Sequence, residues 1–185
     1  MKMSMIKRMV LSALCVALCV VLPIAFHVIP NAGSVFLPMH IPVLLCGLVC
    51  GGFYGGFCGI AGPILSSVLS GMPPATALIS MLPELFVYGL ASGLMMQWVR
   101  TGKLHWDLYI SLIAAMVLGR IAGGIARALF VTLFATGDTF TISLWVSSYF
   151  VSSFPGIVAH LVLLPLLAAT LMKAKIIPSR YPQTA

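Results

Sequence analysis

Three charged side chains lie inside long apolar stretches of a sequence that otherwise keeps its charges near the ends of such stretches: Arg120, Arg127 and Glu84. A lone cation in hydrocarbon costs on the order of 2.5–3.5 kcal/mol, so such residues are rarely incidental. The two cations outnumber the acid, which favours an anionic partner. The three residues therefore indicate an intramembrane site that binds or translocates a polar, anionic solute.

The two arginines are predicted to have different roles. They are seven residues apart in the sequence, so on one helix they share a face, with an angular drift of about 20°, and lie about 10 Å apart. Glu84 is expected at a depth similar to that of Arg120, which favours an ion pair between them. Arg127 then remains to bind a ligand carboxylate or phosphate through two hydrogen bonds. The alternative is that the three charges only hold helices together.

Further polar and aromatic residues extend the predicted site. Tyr88 lies one turn beyond Glu84 and shares its face, where its hydroxyl either contacts ligand or bonds to another helix. Residues in and just after the first polar loop either close over a ligand or form a solvated connector: Asn31, Ser34, Phe36 and His40. Residues at the start of the last apolar segment either line the site or anchor the chain at the membrane interface: Trp145 and Tyr149, near Ser147, Ser148, Ser152 and Ser153. His160, deeper in that segment, is expected to hydrogen-bond between helices.

The composition determines the class of protein. Of 185 residues, 61% are hydrophobic and only 7% are charged, with a mean hydropathy of +1.15, whereas soluble domains carry about 25% charged residues. The sequence is therefore predicted to be an all-α membrane protein that crosses the bilayer several times. Its net charge of +7 does not indicate a nucleic-acid partner, because most of the cations cluster near segment ends: Lys2, Lys7 and Arg8; Arg100 and Lys103; Lys173, Lys175 and Arg180.

Several kinds of chemistry are not expected of this chain. No GxxxxGK[ST] motif occurs in the sequence, so the chain is not expected to use ATP itself. One intramembrane acid and scattered histidines do not supply the paired nucleophile and base, or the metal cluster, of an enzyme, and no cofactor is expected. The cysteines lack CxxC spacing and histidines at zinc spacing, so they are interpreted as buried apolar residues: Cys15, Cys19, Cys46, Cys50 and Cys58.

Apolar segments near the roughly 20 residues that cross hydrocarbon as a helix predict six spans. Their approximate bounds are 6–26, 39–51, 54–71, 75–99, 107–134 and 143–172. The second and third are short and joined by a tight turn in the glycine cluster, and Pro155 and Pro165 are expected to kink the sixth. Six spans put all three cationic clusters on one side, which the positive-inside rule assigns to the cytoplasm together with both termini.

The sequence resembles the substrate-binding S components of energy-coupling factor (ECF) vitamin transporters over nearly its whole length. The resemblance rests on motifs that occur in a fixed order: Ala13-Leu14-Cys15-Val16-Ala17, Leu37-Pro38-Met39-His40-Ile41-Pro42, Pro83-Glu84-Leu85 with Tyr88-Gly89, and Leu118-Gly119-Arg120-Ile121-Ala122-Gly123-Gly124. The pattern favours the pantothenate-type subfamily, although riboflavin-, folate- and pyrimidine-type members share much of it.

This resemblance implies a six-helix, riboflavin-transporter-like fold in the plasma membrane of a prokaryote. It implies that the chain binds a vitamin or precursor from outside, at the external ends of its helices and beneath the loop after the first helix. Transport would then use a transmembrane coupling subunit and two cytoplasmic ATPase subunits, which consume the ATP. In family members the positions of Ala13 and Ala17 face the coupling subunit; here Cys15 lies between them and no second small-residue turn follows.

A second function compatible with the sequence is a stand-alone secondary transporter or channel for a small anionic solute. Such proteins commonly contain inverted repeats and broken helices around a site at the membrane midplane. No convincing repeat relates the two halves of the sequence, and 185 residues is short for a self-sufficient transporter. The binding subunit is therefore the favoured interpretation.

Overall fold

The computed structural model describes residues 3–26, 32–134 and 141–177, and every regular element within these ranges is a helix. The elements are α1 (Met5–Phe26), α2 (Ala32–Phe36), α3 (His40–Cys50), α4 (Gly52–Ser70), α5 (Ala75–Trp98), α6 (Leu104–Phe134), α7 (Ile142–Val146), a π-helical segment (Ser147–Val151) and α8 (Phe154–Lys173). The prediction of an all-α protein is confirmed for the described residues.

Five of these helices are long and apolar enough to cross a membrane: α1, α4, α5, α6 and α8. The helices α1, α3, α4, α5 and α6 begin and end within three residues of the first five predicted segments. α3 has only 11 residues, or about 16 Å at 1.5 Å per residue, roughly half the thickness of the hydrocarbon layer. Six membrane crossings and the orientation of the termini stay predictions.

The turn between α3 and α4 consists of a single residue, Gly51. Its φ of 101° lies in the region that glycine adopts readily and that residues with a side chain avoid. The turn folds the two helices against each other, so that a Cβ on Gly55 would lie 2.5 Å from the Cα of Gly47. The glycine cluster therefore makes a helical hairpin, as predicted, with the turn at the first glycine of the cluster.

α5 is the central helix and packs against α3, α4 and α6. Its contact with the hairpin depends on small residues, because a Cβ added to Gly89 would collide with the backbone of Gly55. Small residues let helix backbones approach closely, which matters in a membrane, where lipid provides no hydrophobic force between helices. As a result, α5 carries Glu84 and Tyr88 into the interior of the bundle, where both are buried.

The last apolar segment differs from the single kinked helix predicted over 143–172. α7, the π-helical segment and α8 replace it, with a break at Ser152 and Ser153. Pro155 explains the position of the break: it lacks the N–H that a continuous helix needs, and it occupies the first turn of α8, where that N–H has no partner to lose. Pro165 lies inside α8 without ending it.

The five cysteines belong to the core where α1, α3 and α4 meet. All five are free and buried, and the sulfur atoms of Cys19 and Cys58 lie 4.0 Å apart. Free cysteine behaves as a small apolar side chain in such surroundings. The interpretation of these residues as part of the apolar core is confirmed.

Asp107 is a second buried acid besides Glu84, although the sequence pointed to Glu84 alone. Its Oδ1 accepts hydrogen bonds from the backbone N–H of Thr101 at 2.8 Å and from the Thr101 hydroxyl at 2.7 Å. Hydrogen bonds to a carboxylate offset the cost of burying it. Asp107 therefore stabilises the connection between α5 and α6, at the end of the bundle away from the residues described next.

Candidate functional site

Five buried polar side chains from four helices meet inside the bundle, and we call them the polar cluster: His40 of α3, Glu84 and Tyr88 of α5, Arg120 of α6 and His160 of α8. None of them is more than 7% exposed. The cluster combines a guanidinium, a carboxylate, a phenol and two imidazoles in one shielded region. Hydrogen-bond donors and acceptors, and charges of both signs, are thus brought together from residues distant in sequence.

Similar heights along the helices explain why these residues meet. The end of the bundle that holds Gly51 also holds the end of α5, since Gly51 lies beside Gln97. At 1.5 Å per residue, His40 and Glu84 are about 15 and 21 Å from this end. Counted from the start of α6 at the same end, Arg120 is about 24 Å away. The polar cluster therefore occupies one layer of the bundle.

The ion-pair partner of Glu84 is His40, whose Nε2 lies 3.6 Å from Oε1 of the carboxylate. The predicted ion pair between Glu84 and Arg120 is not formed among the described residues, so that prediction was wrong. Gly123 of α6 lies directly against Glu84, because an added Cβ would come within 2.9 Å of Oε2. The predicted depth was correct for both charges, but depth does not determine the direction in which each side chain extends.

Arg120 is hydrogen-bonded through only one of its nitrogen atoms. Nη1 donates to Oγ of Ser153 at 2.9 Å, and Ser153 in turn donates to the carbonyl of Tyr149. The guanidinium carbon lies 5.3 Å from the centre of the Phe150 ring, where a cation and an aromatic face attract each other. Nε and Nη2 are buried and have no hydrogen-bond partner in the described residues. Two donor atoms of a buried cation can therefore bind an acceptor.

Other buried polar atoms around Arg120 also make no hydrogen bond within the described residues. Within the described ranges, no contact with hydrogen-bond geometry is made by the Tyr88 hydroxyl, the ring nitrogens of His40 and His160, or Nε1 of Trp145. The Tyr88 hydroxyl nevertheless lies near Glu84 and Arg120. Buried polar groups nearly always have a partner, because leaving one without a partner costs about 1–3 kcal/mol. The concentration of such atoms in one region indicates a site for a ligand that supplies the missing hydrogen bonds.

Ring contacts hold the imidazoles of the polar cluster in place. The His40 ring packs edge-on against Tyr88, with ring centres 5.1 Å apart, and lies nearly parallel to the His160 ring at 6.1 Å. His160 also lies beside the backbone of Phe36 and Leu37. The residues just before α3 therefore pack over one side of the cluster.

α2 covers the start of α8. A Cβ added to Gly156 would collide with the carbonyl of Val35 and lie 3.1 Å from the carbonyl group of Phe36. The Phe36 ring itself contacts α1, with its centre 6.0 Å from that of Phe26. Phe36 thus approaches the polar cluster through its backbone, and direct contact of its ring with ligand stays a prediction.

Trp145 and Tyr149, predicted to line the site, lie on the α7 side of the polar cluster. Trp145 packs against Gly124 of α6 and lies 6.0 Å from Tyr149 between ring centres. Tyr149 is within electrostatic range of Glu84 and Arg127. The π-helical segment that carries Tyr149 is a rare conformation found frequently at functional sites. These aromatic residues are therefore next to the cluster, and their contact with ligand stays a prediction.

The remaining predicted residues lie away from the cluster or beyond what the structure describes. Asn31 and the side chain of Ser34 are outside the described part of the chain. Ala13 and Ala17 are exposed on α1, whereas Cys15 between them faces the core. An exposed pair of small residues can accept a neighbouring helix, and contact with a coupling subunit stays a prediction.

Sequence reasoning left His160 out of the ligand site, and it named Ser153 only as one of four serines near Trp145 and Tyr149. The structure buries both residues and hydrogen-bonds Ser153 to Arg120. His160 was expected to hydrogen-bond between helices, and its ring does lie against the backbone of Leu37 and Phe36, although neither ring nitrogen meets hydrogen-bond geometry in the described residues. Counted from the basic end of its segment at Lys173, His160 lies about 20 Å along the helix, at the height of Glu84. Counting residues from the basic end of the segment, as was done for Arg120, would therefore have placed His160 at the depth of the site. The position of Ser153 depends on the break before α8.

Comparison with known proteins identifies the family. No curated protein and no solved structure gives a significant match to the sequence. A family model, described as the ECF transporter substrate-specific component, matches residues 7–173, and the apolar helices agree with a multi-pass membrane protein. Members of this family are transport subunits and not enzymes. The chain therefore belongs to the family of substrate-specific components of ECF transporters.

Proposed function

We propose that the chain captures a small, water-soluble, anionic vitamin or vitamin precursor for import by an ECF transporter, and that pantothenate is the favoured ligand. The observation that carries the proposal is Arg120, a buried cation whose Nε and Nη2 have no hydrogen-bond partner in the described residues. A carboxylate or phosphate matches the planar guanidinium and forms strong, charge-assisted hydrogen bonds with it. Those bonds would offset the cost of keeping the cation buried.

Arg120, and not Arg127, is the primary anion-binding residue in this proposal. Arg120 is 2% exposed, whereas Arg127 is only partly buried and interacts with other groups in the protein. A charged hydrogen bond is worth more where water is excluded. Arg127 is assigned a supporting role beside Tyr149, which reverses the ranking of the two arginines expected from their depth alone.

The chemistry of the polar cluster is compatible with pantothenate. This vitamin carries a carboxylate for Arg120, together with an amide and hydroxyl groups that both donate and accept hydrogen bonds. Tyr88 and Trp145 supply further donor atoms without partners in the described residues, and Glu84 supplies an acceptor. Folate and phosphorylated precursors share the anionic group, so the choice among them depends on the binding experiment below.

The proposed topology has six crossings of a prokaryotic plasma membrane, with both termini in the cytoplasm. It is supported by the basic residues at three segment ends, which six crossings place on one side. The Gly51 turn of the α3–α4 hairpin then lies on the cytoplasmic side. The polar cluster, about 15–24 Å from that end of the bundle, lies near the middle and outer half of the hydrocarbon layer, where ligand enters from outside.

Energy for uptake is proposed to come from partner subunits: a transmembrane coupling subunit and two cytoplasmic ATPases. The sequence has no phosphate-binding GxxxxGK[ST] motif of its own. The exposed residues Ala13 and Ala17 on α1 are four positions apart, the spacing that lets a second helix approach closely. The surface of α1 at Ala13 and Ala17 is the proposed contact with the coupling subunit.

The test is isothermal titration calorimetry of the purified protein with pantothenate, folate, riboflavin, thiamine and pyridoxine. We expect saturable binding of one anionic vitamin and none of the cation thiamine. The Arg120→Gln variant is expected to lose this binding. Arg100→Gln, which removes an exposed cation at the end of α5, is the matched control and is expected to keep it.

Two results would contradict the proposal. Absence of binding for all five vitamins, from protein that elutes as a single folded species, would remove the assignment of a vitamin ligand. Uptake of the anionic vitamin into vesicles that contain this chain alone, driven by an ion gradient, would favour a stand-alone transporter instead of a binding subunit.

A further inference from the structure

The polar cluster holds two buried charges of opposite sign that have separate partners. Arg120 donates to the neutral hydroxyl of Ser153, whereas the carboxylate of Glu84 faces His40 at 3.6 Å. Charges shielded from water attract one another more strongly than charges in water. In the ligand-free protein, Arg120 and Glu84 both lie near the Tyr88 hydroxyl, so Arg120 offsets the negative charge of Glu84 without direct contact.

An anionic ligand changes this balance. Its carboxylate or phosphate binds Nε and Nη2 of Arg120, the donors that have no partner in the described residues, and so neutralises the cation. Glu84 then carries a charge that Arg120 no longer offsets, and an uncompensated buried charge is costly. The nearest group that can restore neutrality is His40, because a proton on its imidazole converts the 3.6 Å contact with Glu84 into a true ion pair.

We infer that binding of the anionic ligand is coupled to uptake of a proton from solvent by the His40–Glu84 pair, so that capture is tighter at lower pH. The inference rests on the proposed function and concerns the regulation of that same site. The proton is taken from bulk water when ligand binds and is held between Nε2 of His40 and the carboxylate of Glu84. It returns to water when the ligand leaves.

Other charged or titratable groups near the pair are Tyr88 of α5, Arg120 and Arg127 of α6, Tyr149 of the π-helical segment and His160 of α8. The thiols of Cys19 of α1 and Cys58 of α4 lie beyond Met39, the neighbour of His40. Thiols and phenols ordinarily titrate above about pH 8, whereas imidazole titrates between about pH 5 and 8. His160, stacked on His40 at 6.1 Å, disfavours a second positive charge beside the first. The cluster therefore takes up a single proton, and His40 is the group in contact with the acid.

The experiment measures the number of protons bound per ligand. Calorimetric titrations with pantothenate, or with the anionic vitamin that binds in its place, are repeated in PIPES and in imidazole, two buffers without carboxylate or phosphate groups that have different ionisation enthalpies. We expect wild-type protein to take up about one proton at the pH of maximal uptake, and its affinity to weaken by up to about tenfold per unit of rising pH within the range 6–8. The vitamin itself stays ionised there, because carboxylic acids titrate near pH 4.

Two variants distinguish proton coupling from simple contact with ligand. Glu84→Gln preserves the shape of the side chain and removes the acid, so proton uptake and the pH dependence of affinity are expected to disappear. His105→Gln removes an exposed histidine at the start of α6 and is expected to keep both. If Glu84 only contacted the ligand, Glu84→Gln would weaken binding equally at every pH.

Each result decides between the two proposals. Two results would overturn the coupling and leave the proposed function standing. One is a heat of vitamin binding that is the same in both buffers across pH 6–8, and the other is proton uptake that persists in Glu84→Gln. Absence of any binding would overturn the proposed function and this inference with it. The wild-type measurement is decisive by itself, even where Glu84→Gln does not fold.

Discussion

Glycine allows close approach in two regions of the bundle, but the group that approaches differs between them. In the packing region, which we define as the α3–α4 hairpin and its contact with α5, Gly55 and Gly89 bring backbone against backbone. In the polar cluster, Gly123 of α6 makes room for the carboxylate of Glu84, and polar atoms without partners surround it. A missing side chain tightens the fold in one region and admits a polar group in the other.

This difference separates residues that hold the fold from residues that await a ligand. The packing region is apolar and closely packed, so a change there acts on stability. The polar cluster contains buried donors without partners in the described residues, and each of them weakens the ligand-free fold. Changes in the cluster are therefore expected to act on binding more than on folding, and the predictions below test this contrast.

The largest effect is expected for Gly89→Val in the packing region. Even the first carbon of the new side chain would overlap the backbone of Gly55, and overpacking of this kind forces backbone shifts costing about 1–3 kcal/mol or more. We expect loss of the monodisperse peak in size-exclusion chromatography. Gly33→Ala, where an added Cβ meets nothing within 4 Å, is the control, and similar behaviour of the two variants would contradict the account.

The next largest effect is expected for Arg120→Gln in the polar cluster. Loss of charge-assisted hydrogen bonds worth about 1.5–3 kcal/mol each should weaken ligand binding by at least about 100-fold. Thermal stability without ligand should change less than binding, because the relief of no longer burying a cation is opposed by the loss of the positive charge that offsets Glu84. Calorimetry and thermal unfolding measure the two quantities separately.

Arg127→Gln tests which of the two arginines contributes more to anion binding. Because Arg127 is partly exposed, its charge is screened, and the variant should weaken binding by less than about tenfold. A larger loss of affinity in Arg127→Gln than in Arg120→Gln would show that the anion binds further along α6 than proposed.

A smaller effect is expected for Phe150→Leu. Replacing the ring that faces Arg120 at 5.3 Å removes a cation–π contact worth about 0.5–1 kcal/mol, or more where water is excluded, so affinity should fall by about threefold to tenfold. Phe154→Leu changes an exposed phenylalanine nearby and should leave affinity unchanged. Equal effects of the two substitutions in calorimetry would remove Phe150 from the site.

The smallest effect on ligand is expected for Cys58→Ala. Cys58 is fully buried in the core, where its sulfur contacts that of Cys19, so the variant should lose about 1 kcal/mol of stability. Its affinity for the vitamin should stay within about twofold of wild type, since distant, independent sites do not couple. A strong loss of affinity in calorimetry would mean that the thiol core and the polar cluster are linked.

The lengths of the apolar segments and the position of the glycine cluster predicted most of the fold. The hairpin at Gly51 follows from the glycine cluster, and helix bounds follow from apolar length. The break before α8 was not predicted, because a proline such as Pro155 can either kink a helix or start one, and the surrounding packing decides which. The five-residue helix α2 was likewise too short to recognise within a polar loop.

The candidate site was predicted in part. Depth along each helix correctly brought Glu84, Tyr88 and Arg120 to one layer, because rise per residue is fixed. The predicted partner of Glu84 was wrong, because the direction in which its side chain extends around α5 was not predicted. The observed partner, His40, comes from a short helix whose position depends on the hairpin. Residues whose contacts depend on a break, such as Ser153, could not be assigned from periodicity.

The central claim is that Arg120 holds an anionic vitamin inside the polar cluster. It is tested most directly by mass spectrometry of the small molecules that co-purify with wild-type protein and with Arg120→Gln, prepared in parallel. The account predicts that wild type releases one acidic vitamin or precursor and that the folded variant releases none. Recovery of the same acid in equal amounts from both proteins would contradict it.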